Sequence, residues 1–395
     1  MRVTLVTETY FPQVNGVSRT LGELVRYLVE CGDQVQLVRP DYGREEISAA
    51  EIGGDPGSLE VHRVRSIRLP FYRELYLPLP PFGGLCRAID GFRPDLLHVA
   101  TEATLGLTAL RHARRRGLPV VSSFHTNFDQ YSRHYRVGWS KGIVWRYLRW
   151  FHNATSETYV PSRTTISELE SRGFERLVLW PRGVDGTLFR PDRPGRDAVR
   201  SALGFAPDDL VLSYVSRIAA EKNVDYLADA LELIASRVPS LKILLVGDGP
   251  ARVELERRLG SIARFAGYRT GEDLADHYAA GDLFAFTSLT ETFGNVVLEA
   301  MASGMPVVAL RAGGVGDTIR DGETGLLVDP AETPAQFADA VLSLVRDPER
   351  RADMAQAARA FALSQSWGAI MGGLRDRYEA LVGTSAGRLA MAAAR

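Results

Sequence analysis

Short apolar, β-branched runs alternate along the chain with stretches whose apolar residues recur every three to four positions. In the first half the runs fall at 3–6, 35–38, 96–99 and 120–123. In the second they fall at 210–215, 243–246, 283–286, 307–310 and 326–328. A strand covered by helices on both faces reads as a continuous apolar run, and a surface helix as a 3.6-residue stripe. The alternation predicts an α/β protein with parallel sheets. The runs are too many for one comfortable doubly wound sheet. A break rich in Pro and Gly, from Pro181-Arg-Gly-Val-Asp185 to Pro194-Gly195, interrupts them. A domain boundary is expected there, with a first domain over 1–185 and a second over 186–365. A last helical stretch at about 366–382 precedes an Ala-rich tail expected to fray.

Composition narrows the class. The chain has 395 residues, enough for two cores, and its 45% hydrophobic and 24% charged residues are ordinary globular values. Cys31 and Cys86, the two cysteines, cannot build a disulfide framework or a cysteine-rich zinc site, and they fit a reducing, cytoplasmic setting. No run reaches the roughly 18 apolar residues of a membrane span. The N-terminal stretch 1–7 reads as a first strand rather than a signal peptide. The net charge of −1 hides an imbalance. Residues 1–190 carry 25 Lys and Arg against 20 Asp and Glu, and the remainder 22 against 28, giving +5 and −6. The first half is therefore the expected face for an anionic partner or membrane.

Several catalytic patterns fail on inspection. Gly247-Asp-Gly249-Pro follows a strand like the start of a dinucleotide fingerprint, but Arg252 stands where the third glycine belongs. Gly383-Thr-Ser385-Ala-Gly387 has the spacing of a nucleophile elbow, yet no strand precedes it and no histidine follows. There is no Walker A sequence, no H-E-x-x-H and no Asp-x-Asp pair. No metal or other cofactor is expected, so the charge of a bound diphosphate must be met by side-chain cations and helix ends. Three features suit that task. Arg217 and Lys222 follow the run 210–215, at the sheet edge where open α/β proteins bind ligands. Thr292-Phe-Gly-Asn295 precedes a helical stretch whose first N–H groups can face an anion. Asn15-Gly16 sits in the loop after the first strand, where glycine allows close backbone approach. His125 and Glu102 end strands of the first half at the same kind of edge.

Together these motifs resemble those of the family-four retaining glycosyltransferases. Glu291-Thr-Phe-Gly-Asn-Val-Val-Leu-Glu299 is similar to the family's E-x7-E signature. Met301-Ala-Ser-Gly-Met-Pro-Val-Val308, Ala312-Gly-Gly314 and Gly322-Glu-Thr-Gly-Leu-Leu-Val-Asp-Pro330 resemble its continuation. Thr9-Tyr-Phe-Pro-Gln-Val-Asn-Gly-Val17 resembles the family's glycine loop. Phe124-His-Thr-Asn-Phe-Asp129, Arg182-Gly-Val-Asp185, Arg217 with Lys222, and Gly247-Asp-Gly249 follow in family order. The resemblance covers about 2–381.

It implies a GT-B fold, two Rossmann-like domains facing across a cleft, with the C-terminal helix crossing back to the first. It implies a nucleotide-sugar donor whose diphosphate is bound by Arg217 and Lys222, with Gly16 closing over it, and counts Gly249 among the donor-binding residues. Glu299 would hold the ribose hydroxyls. Glu291 would contact the sugar near its 3-hydroxyl, with the backbone of Phe293, Gly294 and Asn295, and His125 would touch the sugar. It also implies a front-face substitution that keeps the anomeric configuration.

Bacterial mannosyltransferases acting on lipids look most similar, which makes GDP-mannose the first donor expected. UDP-glucose and UDP-sulfoquinovose enzymes, and GT-B sugar-nucleotide epimerases or phosphorylases, are the alternatives.

The acceptor side offers one clue. The stretch 134–152 interleaves Arg136, Lys141, Arg146 and Arg149 with Trp139, Trp145, Trp150 and Phe151. Cations among aromatic rings suit a lipid headgroup interface, and so a peripheral site at the inner face of a membrane. An amphipathic core helix with inward tryptophans and solvated arginines would read the same way. No signature of nucleic-acid binding accompanies it, and the acceptor is expected to be a lipid or a saccharide.

Overall fold

A computed structural model of the chain describes residues 1–13, 15–43, 56–69, 72–125 and 140–393. Thr126 to Asp129 of the 124–129 motif, together with Arg136, Trp139 and the Lys141 side chain, lie outside the described residues. The chain divides into two compact units, Met1–Pro181 with Gly368–Arg395, and Arg182–Trp367.

In the first unit the strands are β1 (Arg2–Val6), β2 (Gln34–Pro40), β3 (Leu59–Val64), β4 (Ser66–Leu69), β5 (Tyr72–Pro78), β6 (Leu96–Val99), β7 (Val120–Ser123), β8 (Glu157–Val160) and β9 (Leu177–Leu179). Among the described residues, seven of them form a parallel sheet in the order β3-β2-β1-β6-β7-β8-β9, and β4 and β5 pair as an antiparallel hairpin. The order reverses between β1 and β6. Helices α1 (Gly16–Glu30), α2 (Gly83–Phe92), α3 (Thr104–Arg116), α4 (Ser140–Asn153) and α5 (Arg163–Ser171) connect the strands. Helix α1 begins because Asn15 is extended and its side chain accepts the Ser18 N–H at 2.9 Å. It buries Leu21, Leu24, Val25, Leu28 and Val29, an i, i+3, i+4, i+7, i+8 stripe.

The second unit holds α6 (Arg196–Ala202), β10 (Val211–Val215), α7 (Val224–Arg237), β11 (Lys242–Val246), α8 (Arg252–Leu259), β12 (Arg264–Gly267), α9 (Gly271–Ala279), β13 (Leu283–Phe286), α10 (Asn295–Ala302), β14 (Val307–Leu310), α11 (Val315–Thr318), β15 (Gly325–Val328), α12 (Pro334–Arg346) and α13 (Pro348–Ser364). Its parallel sheet runs β12-β11-β10-β13-β14-β15, the doubly wound order with its reversal between β10 and β13. Leu212, Leu244, Phe284, Val308 and their neighbours on both faces are buried, which is why these strands read as unbroken apolar runs. Helix α12 starts on a capping box between Thr333 and Gln336 with Pro334 in its first turn.

The C-terminal helix, Trp367–Ala393, extends past the end expected near 382. Asp33, buried at 1% side-chain exposure, accepts from Arg375 Nε at 2.7 Å, and Arg377 pairs with Glu157. These contacts tie the helix into the first unit.

Candidate active site

In an open α/β sheet, ligands bind beyond the C-terminal strand ends where the order reverses. In the second unit that point lies between the loops after β10 and β13, and most of the expected donor residues stand on these two loops. Thr287 Oγ1 donates to the carbonyls of Lys222 and Asn223, each at 3.3 Å, and Thr290 Oγ1 donates to the Glu221 carbonyl at 3.3 Å. The two loops are therefore stitched together before any ligand arrives. Lys222 Nζ and Glu291 Oε1 meet in an ion pair, both side chains less than a fifth exposed. The Glu291 carbonyl accepts the Gly314 N–H at 2.9 Å, so the loop after β14 holds it from the other side.

Phe293 is buried beneath this loop. Gly294 has φ +88° and turns the chain into α10, so Asn295 opens the helix with its first N–H groups directed outward. Glu299 lies one turn on and is 4% exposed; its Oε2 accepts from Tyr278 OH at 3.0 Å. Arg217 is placed differently. It stands on the same loop as Lys222 but is mostly exposed and pairs with Glu221. Gly249 lies against Ile218, where a Cβ would fall 2.3 Å from the Ile218 carbonyl oxygen. The loops after β10 and β11 thus interlock, with Ile218 N donating to the Asp248 carbonyl and Ala251 N to the Ile218 carbonyl. The structure accordingly groups Lys222, Glu291, Phe293, Gly294, Asn295 and Glu299. It sets Arg217 and Gly249 on the flank.

In the first unit Gly16 is exposed at the start of α1, after β1. His125 follows β7, and its Nε2 lies 2.8 Å from Ser123 Oγ. Glu102 follows β6.

Sequence reasoning missed a carboxylate at the reversal point of this sheet. Glu8 Oε1 accepts the N–H groups of Leu105 and Gly106 at 2.7 and 3.2 Å, capping α3, and its Oε2 accepts from Thr101. Burial pushes its pKa up to about 8, against the pull of those N–H groups, and Glu102 adds to the rise. Tyr278 was missed as well. It reads as one more core position of α9, and nothing local marks it as the partner of Glu299.

Helix α4 divides its aromatic residues. Phe151 and Leu148 are buried, and Trp145 packs edge-on against Phe174 with the Arg172 guanidinium 4.0 Å above its ring. Trp150 is 45% exposed, as are Ile143 and Val144 at 50% and 40%. The inward expectation therefore holds for Trp145 and fails for Trp150. Arg114, Arg146, Arg149, Trp150, Asn153 and Ala154 line a surface concavity of about 370 Å³. Among the described residues no helix is long and apolar enough to cross a membrane.

Residues 14–187 match the family model "Glycosyltransferase Family 4" and residues 209–347 match "Glycosyl transferases group 1". A GDP-mannose-dependent alpha-mannosyltransferase of Mycobacterium tuberculosis is 36% identical over 97% of this chain and 97% of its own length. The sulfoquinovosyl transferase SQD2 of Arabidopsis thaliana is 32% identical over 96% of this chain and 74% of its own. Among solved structures, Anabaena HepE in complex with UDP superposes with a TM-score of 0.76 at 20% identity, covering 96% of this chain and 100% of that one. The family models and the relatives show a glycosyltransferase, and its two parallel sheets match the GT-B fold of the solved structures. The chain belongs to the family-four glycosyltransferases of GT-B fold.

Proposed function

We propose that this enzyme transfers mannose from GDP-mannose to a lipid or saccharide acceptor, with retention of configuration and without a metal ion. One observation carries the reading: Lys222 and Glu291 meet beside the open N-terminus of α10, with Glu299 buried one turn away. A cation and a helix N-terminus together suit a diphosphate, and they stabilise the negative charge that grows on it as the glycosidic bond breaks. On donor binding Lys222 exchanges its partner Glu291 for a phosphate oxygen, assisted by Arg217. Glu291 is then left to the sugar hydroxyls, near the 3-hydroxyl, beside the backbone of Phe293, Gly294 and Asn295. Glu299, fixed by Tyr278, accepts from the ribose hydroxyls. Gly249 keeps the flanking loops tight. For the first unit, the roles that the family resemblance implies are Gly16 at a diphosphate and His125 at a sugar.

In the front-face step the acceptor oxygen bonds to the anomeric carbon on the face from which the diphosphate departs. The carbon–phosphate-oxygen bond breaks, and the leaving oxygen takes the acceptor's proton. GDP-mannose is supported by the mannosyltransferase relative that spans the whole chain. A second reading, a UDP-sugar-dependent glucosyl- or sulfoquinovosyl-type glycolipid transferase, is supported by the Arabidopsis relative. The acceptor side is proposed along α4, where the Arg114–Arg146–Arg149 concavity suits an anionic lipid headgroup at the inner face of a membrane.

The test incubates the protein with a panel of nucleotide sugars and a lipid extract. The expected result is release of nucleoside diphosphate that depends on acceptor and is fastest with GDP-mannose. Isomerised donor would point to an epimerase, and release that requires inorganic phosphate in place of the acceptor would point to a phosphorylase. Lys222→Ala and Glu291→Ala should each lower kcat by about 10²–10³-fold; full activity in both would remove the site assignment.

A further inference from the structure

His98 lies in the middle of the first sheet, in the otherwise apolar strand β6, and is fully buried. Its ring contacts those of Tyr159, Trp180 and Tyr378, with centroids 5.8–5.9 Å apart. Both of its nitrogens are bonded. Nδ1 lies 2.6 Å from Tyr378 OH on the C-terminal helix, and Nε2 lies 3.0 Å from Ser123 Oγ on β7. The same Ser123 oxygen lies 2.8 Å from His125 Nε2. Four side chains thus form one hydrogen-bonded line from the C-terminal helix to the end of β7.

The protons on this line can be ordered in two directions, and the buried end decides between them. Tyr378 OH has His98 Nδ1 as its hydrogen-bond partner among the described residues. Were His98 to donate from Nδ1, the tyrosine proton would be buried with no acceptor, a state that folded proteins avoid. The tyrosine therefore donates to Nδ1. The second titratable phenol against the ring, Tyr159, is turned to Glu157 and so does not compete. A neutral His98 that accepts at Nδ1 carries its proton on Nε2 and donates to Ser123. Ser123 is fully buried, and once His98 donates to it, His125 Nε2 is the acceptor left for its proton among the described residues, so it donates there. Burial without a charged partner keeps His98 neutral, its pKa held down to about 3.

We propose that Tyr378, His98 and Ser123 are positioning residues that set the tautomer of His125, so that it accepts at Nε2 and presents an Nδ1–H donor. Here the edge away from Ser123 is a hydrogen-bond donor, suited to a sugar hydroxyl or phosphate oxygen and unsuited to taking a proton. The relay itself rests on geometry within the first unit. Its use in transfer rests on the donor-site reading of His125 given above.

The test is histidine-selective ¹⁵N NMR of the full-length protein at neutral pH, without substrate, in wild type, Tyr378→Phe and Ser123→Ala. Wild-type His125 should show a protonated Nδ1 and an unprotonated Nε2. Tyr378→Phe keeps the ring and removes the donor that biases the line, and Ser123→Ala removes the link. Each should shift the tautomer ratio of His125 by about tenfold toward Nε2–H, the scale of one buried hydrogen bond. A wild-type His125 protonated at Nε2, or an unchanged ratio in both variants, would overturn the relay. Full transferase activity in His125→Ala alongside the expected spectra would instead reject the donor-site role and leave the relay standing.

Discussion

Glu8 shows how one side chain couples the site to stability. Its carboxyl, two residues past β1, caps α3 and stands at the strand-order reversal of the first sheet. With its pKa raised from 4.5 to about 8, the folded protein holds a proton between those values that the unfolded chain has already released. Stability must then fall as pH rises through this window, with a slope of at most about 1.4 kcal/mol per pH unit. The buried His98 and His152, both held down to about 3, act in the opposite sense below about 6.5, where the unfolded chain binds protons that the folded one refuses. Glu8→Gln keeps an oxygen for the Leu105 and Gly106 N–H groups and removes the titration. Urea unfolding of both proteins from pH 5 to 8 should show the variant losing less stability as pH rises. Parallel curves would show that the cap keeps Glu8 ionised throughout.

At the scale of elements, the turn into α10 concentrates the requirements of the site. Gly294 sits at φ +88°, and a Cβ there would also lie 2.9 Å from Val315 Cγ2. Gly294→Ala should cost about 1–3 kcal/mol in denaturant unfolding. Gly383, exposed within the C-terminal helix, where an added Cβ would meet nothing within 4 Å, provides the contrasting case. Gly383→Ala should stabilise by about 0.5–1 kcal/mol and leave transfer unchanged, as befits a motif that arose by chance. An equal response of the two glycines would contradict the strained-turn account.

The central strands were legible because both faces are buried, so their alternation is erased into apolar runs. Most strands that sequence reading passed over lie at the margins; the exception is β8, internal and buried, whose Glu157-Thr-Tyr-Val160 opens on two polar residues and so makes no apolar run. β3 carries Glu60, His62 and Arg63, β12 begins at Arg264, and β9 has only three partly buried or exposed residues. The site divides in the same way. Glu291, Phe293, Gly294, Asn295 and Glu299 fall within one loop and one helix turn, so they could be read as a unit. Lys222 joins Glu291, 69 positions away, because the parallel order places β10 beside β13. The partners Tyr278, Ser123 and Tyr378 have no local pattern at all.

On the scale of the whole molecule, the C-terminal helix belongs with a unit that begins more than 300 residues earlier in sequence, through Arg375 with Asp33, Arg377 with Glu157 and Tyr378 with His98. The larger part of the first unit, Met1–Pro181, lies within the half of the chain that carries the positive excess. Helix α4 turns two features outward together: the basic residues Arg146 and Arg149, and the apolar surface of Ile143, Val144 and Trp150. Either feature alone is an ordinary solvated surface, but their combination fits the boundary between anionic headgroups and acyl chains. Arginines near such a surface act additively through the local potential, and salt shortens their reach from about 10 Å at 0.1 M to about 3 Å at 1 M. The protein should therefore co-sediment with vesicles containing anionic lipid, weakly and reversibly, and be released by salt. Replacing Arg146 and Arg149 together by Ala should lower the partition coefficient by about thirtyfold. Trp150→Ala should lower it by a smaller factor that persists at high salt, since ring burial is not screened. Equal partitioning onto neutral and anionic vesicles, in wild type and double variant alike, would confine α4 to a structural role and turn the search for the acceptor toward water-soluble saccharides.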